Sequence, residues 1–251
     1  MKVPEVCNAE LTSLSIDIVH NLINSQTSFH AGELKIFWPQ WEAITTDPSI
    51  LQIVTGVKIE FKNNVAPTQF YGRPSVFNAH QHSIVKAEIT KLLAKGVIIP
   101  AAQETEEFIS TLFLRPKKDG THRTILNLKA FNEFIAYHHF KMDTLEAAVN
   151  MVRPGCFMAS VDLKDAYYTV PIHPSYQKCL KFCFDGVFYK YTYLPNGLAS
   201  APRIFTKLLK LVYATLRSIS IQGISTFLIY KATPPRNVIK MSLTPSRYLS
   251  N

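Results

Sequence analysis

The chain has 251 residues, of which 47% are apolar and 12% aromatic, and a formal net charge of +9. That supplies a sizeable core for one large domain or two small ones. No stretch of about 18 uncharged apolar residues occurs, and the opening MKVPEVCNAELTSL has no signal-peptide pattern, which argues against a membrane span and against secretion.

In chain order, an amphipathic helix is expected near Ser15–Ile23, and Asp47-Pro48 reads as a turn opening a short helix. Residues 61–79 hold Pro67, Gly72 and Pro74 and read as extended or looped. From Ser83 to Gly96 the spacing of Val85, Ile89, Leu92 and Leu93 predicts one apolar helical face, with Gly96 as its stop. STLFLRPKKDGTHRTILNL is a hairpin signal in which Gly120 supplies positive φ. Asp143 with Glu146 forms a capping box for a short helix, and CFMASVDL reads as a buried strand. KFCFDGVFYKYTYL is a second hairpin turning at Asp185-Gly186. Pro202 opens a helix with Ile204, Leu208, Leu211 and Thr215 along one side, and TFLIY is a strand-like run before the double proline of KATPPRNV. The order is α+β with mostly antiparallel pairing.

The charge is unevenly placed. Residues 1–100 hold eight basic and eight acidic residues, whereas residues 101–251 hold nineteen and ten, and no acid follows Asp185. A field of one sign attracts polyanions, among which nucleic acid is the commonest partner. The four cysteines (Cys7, Cys156, Cys179, Cys183) lack zinc spacing and read as reduced thiols of a cytoplasmic or nuclear protein.

Three stretches together resemble a reverse transcriptase, an RNA-directed DNA polymerase. LFLRPKKDGTHRTILNLKAFN at 112–132 is similar to the fingers hairpin. SVDLKDAYYTVPIHP at 160–174 is similar to the first palm motif, and YLPNGLASAPRIFTKLL at 193–209 to the motif opening the palm helix. LPNGL, LKDAYY and the upstream ITTDPSILQIVTGVKIEF look most like the DIRS-type retrotransposon branch. The resemblance implies a right-hand polymerase fold with fingers and a partial palm, the thumb being absent. It also implies an RNA or DNA template-primer, deoxynucleoside triphosphates and Mg²⁺ as partners. The corresponding division is an N-terminal extension (1–79), fingers and palm (80–230), and an unrelated, disordered tail (231–251).

Polymerisation is in-line phosphoryl transfer, for which two hard metal ions clamp the attacking and leaving oxygens. The resemblance makes Asp162 a catalytic metal ligand and the Leu163 carbonyl a second donor. It places Asp165 and Ala166 at the triphosphate and Tyr167 against the sugar. Lys117 and Arg123 become phosphate-holding cations of the fingers, and Asn196 and Gly197 a loop touching the nucleotide. In plainer readings Asp162 is a turn former, Asp165 a cap, Tyr167 a core residue, and the cations a solvated turn.

The pattern breaks after the palm helix. The family places a Tyr-x-Asp-Asp hairpin there, whereas this chain reads FLIYKATPP, with Lys231 following Tyr230. Three readings follow: a truncated, catalytically inactive homologue; a non-catalytic module binding RNA or RNA–DNA hybrid; or an active polymerase with unusual ligands or completed by another chain.

Overall fold

The computed structural model describes residues 29, 31–67, 70–73, 75–118, 120–141, 144, 146, 150, 157–163, 165–218, 221–224, 227–230 and 241–242. For 157–162 and from 216 onward it describes the backbone alone. The helix expected at Ser15–Ile23, the one capped by Asp143 and most of the tail lie outside the described residues.

Three short helices open the described chain: α1 (Glu33–Ile36), α2 (Trp38–Ile44) and α3 (Pro48–Thr55). The Asp47-Pro48 turn forms as expected, because Asp47 Oδ1 accepts the Ser49 N–H at 2.8 Å while Pro48 occupies the first helical position. After β1 (Phe70–Tyr71) comes α4 (Ala79–Ala94), which starts before the expected Ser83. The reason is a capping box: Asn78 accepts from the Gln81 N–H at 2.8 Å, and the Gln81 side chain accepts from the Asn78 N–H at 3.1 Å. Val85, Ile89 and Leu92 are buried as predicted, whereas Leu93 is exposed, and Gly96 closes the helix at φ +69°.

Then follow β2 (Ile98–Pro100), β3 (Phe108–Pro116), β4 (His122–Asn127), the one-turn α5 (Lys129–Asn132) and β5 (Phe157–Asp162). A 3₁₀ turn at Ala166–Thr169 leads to α6 (Pro174–Gln177), β6 (Lys181–Phe184) and β7 (Val187–Tyr191). The long α7 (Ala201–Ser218) precedes β8 (Ile221–Ile224), β9 (Phe227–Tyr230) and β10 (Met241–Ser242). Along α7, Ile204, Leu208 and Tyr213 are buried. Thr215 is exposed instead of lining the core, and its hydroxyl donates back to the Leu211 carbonyl at 3.2 Å. Among the described residues, no helix is long and apolar enough to cross a membrane.

Both expected hairpins form. β3 and β4 pair with Arg115 opposite Arg123, and β6 and β7 turn through Asp185 (φ +51°) and Gly186 (φ +77°). One sheet runs β1–β3–β6–β7–β2, with β4 also on β3; the second runs β10–β5–β9–β8. Five of the eight ladders are antiparallel, while β1–β3, β3–β6 and β10–β5 are parallel. The first sheet is therefore mixed, because β3 sits centrally and receives neighbours across long connections.

The core gathers Phe108, Phe131, Ile172, Leu180, Phe182, Leu194 and Leu198, each at most 2% exposed. A charged pair is sealed into it. Lys181 and Glu107 are both fully buried, and the ammonium donates to Glu107 Oε2 (2.8 Å), Glu104 Oε1 (2.7 Å) and the Ala102 carbonyl (2.8 Å). Three acceptors for three N–H donors leave nothing unsatisfied on the lysine.

Candidate functional site

Asp162 is the last residue of β5, at the end of an apolar strand, as the sequence predicts. β9 runs antiparallel to β5, with Ser160 opposite Phe227 and Phe157 opposite Tyr230. Tyr230 therefore sits at the other end of β5, five residues from Asp162, or roughly 16 Å along the strand. β9 begins instead near the Asp162 end, with Phe227 opposite Ser160. On the opposite side of β5, Ser242 pairs with Asp162.

Leu163 follows, about one-third exposed, and the chain then bends sharply at Asp165. Its φ of +55° is a left-handed conformation that non-glycine residues seldom adopt, and its carbonyl accepts the Tyr168 N–H at 2.8 Å to start the 3₁₀ turn. The Ala166 carbonyl accepts the Thr169 hydroxyl at 2.6 Å. Tyr167 is half-buried with its ring edge-on to Phe205 at 5.6 Å, and burial raises its phenol above the ordinary value. Tyr168 is buried more deeply, which pushes its phenol up to about 12 despite a hydrogen bond from Asn196 Nδ2 at 3.1 Å. It remains a neutral phenol at physiological pH, fit to accept that bond.

Asn196 and Gly197 (φ +93°) form an exposed loop beside this turn. Its position depends on a residue to which the sequence reading assigned no role. Asn132, at the end of α5, donates from Nδ2 to the Gly197 carbonyl and accepts at Oδ1 from the Ala199 N–H, both at 2.9 Å. One side-chain amide thus copies the two-bond pattern of a strand pair. Asn132→Ala is expected to cost about 1 kcal/mol and to accelerate hydrogen exchange at the Ala199 amide, as read by denaturant titration and exchange mass spectrometry.

Lys117 and Arg123 are exposed at and beside the β3–β4 turn, which Lys117 closes by donating its N–H to the Thr121 carbonyl at 2.7 Å. Lys95, at the C-cap of α4, was also missed: its Nζ lies 2.6 Å from Asp165 Oδ2. At the other end of α4, His82 Nε2 lies 2.7 Å from Asp185 Oδ1. Lys95 and His82 are thirteen positions apart along one helix, so the two aspartates they hold lie roughly 20 Å apart. Asp185 therefore stands well away from the turn at Asp165, three residues after Asp162. Among the described residues, no group of three or more histidine, cysteine or acidic side chains is arranged to hold a metal.

Residues 115–230 match the family profile described as reverse transcriptase (RNA-dependent DNA polymerase). That stretch is similar to a reverse transcriptase domain. The chain is 25% identical over 230 residues to the Gag-Pol polyprotein of Walleye dermal sarcoma virus, covering 89% of this chain and 13% of the polyprotein. It is 26% identical over 209 residues to the transposon Tf2-3 polyprotein of Schizosaccharomyces pombe, covering 80% and 15%. The chain thus spans about one-seventh of the length of these curated relatives. Two foamy virus protease–reverse transcriptase structures share the fold. One, solved in complex with double-stranded DNA, aligns at TM-score 0.56 and 18% identity over 92% of this chain and 36% of that one. The other aligns at TM-score 0.58 and 20% identity over 94% and 28%. The α+β architecture with its mixed sheet is consistent with the fingers and palm of a polymerase fold.

Proposed function

We propose that this reverse transcriptase domain derives from a retrotransposon of DIRS type and, as it stands in this chain, binds nucleic acid and nucleotide without polymerising. The DIRS-type assignment rests on LPNGL, LKDAYY and ITTDPSILQIVTGVKIEF. The observation that carries the loss of chemistry is the donor set around Asp162. Asp162 pairs with Ser242 of β10, and β9 flanks the other side of β5 up to Ser160; both strands lie in a stretch without a carboxylate, since no acid follows Asp185. Asp165 is engaged by Lys95, and Asp185 lies beyond reach at the far end of α4. Asp162 and the Leu163 carbonyl are the donors that remain for Mg²⁺. A single carboxylate does not neutralise two divalent ions about 4 Å apart, so the residues present do not fit a two-metal clamp.

Binding draws on different groups. Lys117 and Arg123 on the hairpin suit phosphate oxygens, and the Asp165–Ala166 turn with Tyr167 would seat a triphosphate and its sugar. Asn196 and Gly197 would border the same nucleotide. The whole +9 falls within residues 101–251, which favours a nucleic-acid polyanion, and the family resemblance makes RNA or an RNA–DNA hybrid the one to test. Primer extension on poly(rA)/oligo(dT) with Mg²⁺ or Mn²⁺ tests the reading. The expected result is no incorporation, together with hybrid binding that weakens steeply as salt rises. Incorporation that disappears in Asp162→Ala would overturn the loss of chemistry, and absence of hybrid binding at low salt would overturn the binding role.

A further inference from the structure

Lys95 carries a cation that none of the expected site residues accounts for. Its backbone is fixed at the end of α4, where its carbonyl accepts the Ala31 N–H at 2.9 Å. Its ammonium lies 5.7 Å from the centre of the Phe29 ring and 2.6 Å from Asp165 Oδ2. The two paired side chains are only 30% and 20% exposed, so water and salt screen them less than a surface pair. The other end of α4 is tied to the β6–β7 turn through His82 and Asp185, which makes the helix a fixed arm for the lysine.

We propose that Lys95 is a positioning residue that draws the Asp165 carboxylate aside and cancels its charge, so that the Asp165–Ala166 turn accepts the phosphates of a nucleoside triphosphate. The inference rests on the nucleotide-binding reading of that turn. Asp165 has two faces on one residue: a backbone strained into the left-handed region, and a carboxylate that repels any phosphate brought to that backbone. Like charges a few ångströms apart in a half-buried site oppose binding unless a counter-charge is fixed beside them. Lysine provides a compact one, and its ammonium donates to the carboxylate rather than to the backbone of the turn.

The test titrates a fluorescent mant-labelled deoxyadenosine triphosphate, with magnesium, into the full chain and four variants at fixed ionic strength, with a thermal melt of each. Lys95→Met is expected to weaken binding roughly tenfold, and Lys95→Met with Asp165→Asn to recover to within about threefold of the parent. Lys95→Arg is expected to retain most of the affinity, and Asp165→Asn alone to tighten binding. Parent affinity in Lys95→Met would overturn the proposal. So would a double variant as weak as Lys95→Met, which would make the lysine a direct phosphate ligand or a purely structural group. If Lys95→Met does not fold, Asp165→Asn decides, and a loss of affinity there overturns the proposal. Absence of nucleotide binding by the parent chain is a different failure, because it removes the reading of the turn itself and the proposal with it.

Discussion

Lys181→Met is expected to destabilise the protein by about 3–5 kcal/mol, a loss measured by urea denaturation followed by far-UV circular dichroism. The lysine is fully buried, and its removal strands a Glu107 carboxylate that is also fully buried. Glu107 would keep two weaker donors, the Tyr71 hydroxyl at 3.1 Å and the Glu104 N–H at 3.0 Å, but no counter-charge. Replacing both partners, Lys181→Met with Glu107→Leu, is expected to recover most of the loss, since the penalty lies in the orphaned charge rather than in the absence of the pair. A double variant as unstable as the single one would refute this account.

The same cluster sets a pH window. Burial works against the Lys181 charge, but hydrogen bonds to Glu104 and Glu107 outweigh it and hold the lysine above its ordinary value of 10.5. Its stabilisation is therefore complete below that value and is lost as pH rises through the folded-state value. Glu104 is held below its ordinary 4.5, first by its hydrogen bond with Lys181. Its contribution is present above 4.5 and is lost as pH falls through the lower folded-state value. The cluster is intact across the neutral range and fails from Glu104 in acid and from Lys181 in strong alkali.

Phe131→Ala is expected to cost a further about 3–5 kcal/mol by the same measurement, because the ring is fully buried in a site with little freedom to collapse. Phe131 packs against Phe108 at 5.1 Å and edge-on to Phe61 at 6.1 Å, joining β3 to the segment after α3. It also precedes Asn132, the residue that holds the Gly197–Ala199 loop. The loosened core should therefore raise exchange at the Ala199 amide as well. Stability loss with that amide unchanged would show that α5 holds the loop independently of the core.

Elements carried by local pattern were readable in advance: both hairpins, the faces of α4 and α7, and the strand ending at Asp162. What escaped reading depends on partners distant in sequence. Lys95 and Asp165 are 70 positions apart, and Lys181 and Glu107 are 74. In KFCF, alternation puts Phe182 and Phe184 inside and implies that Lys181 faces water, yet the loop bearing Glu104 and Glu107 covers that side of β6. Tyr230 could be aligned with a motif, but its place across from Phe157 follows from ladder register, which pairing decides. The parallel ladders of β3 likewise depend on crossovers that no window of sequence reveals.

Strand β3 has a mechanical consequence. Up to Ser110 it is gripped on both edges, by β1 and β6, and at Leu112 its carbonyl still accepts the Ser75 hydroxyl. Beyond Leu112, among the described residues, β4 is the one strand paired with it, and Leu114 is its last side chain packed against the core. The β3–β4 hairpin is thus a cantilever clamped at its root and free along one flank. Its cross-strand ladder and closed tip keep Lys117 and Arg123 in fixed relation, so bending at the root swings both cations together through one shared arc.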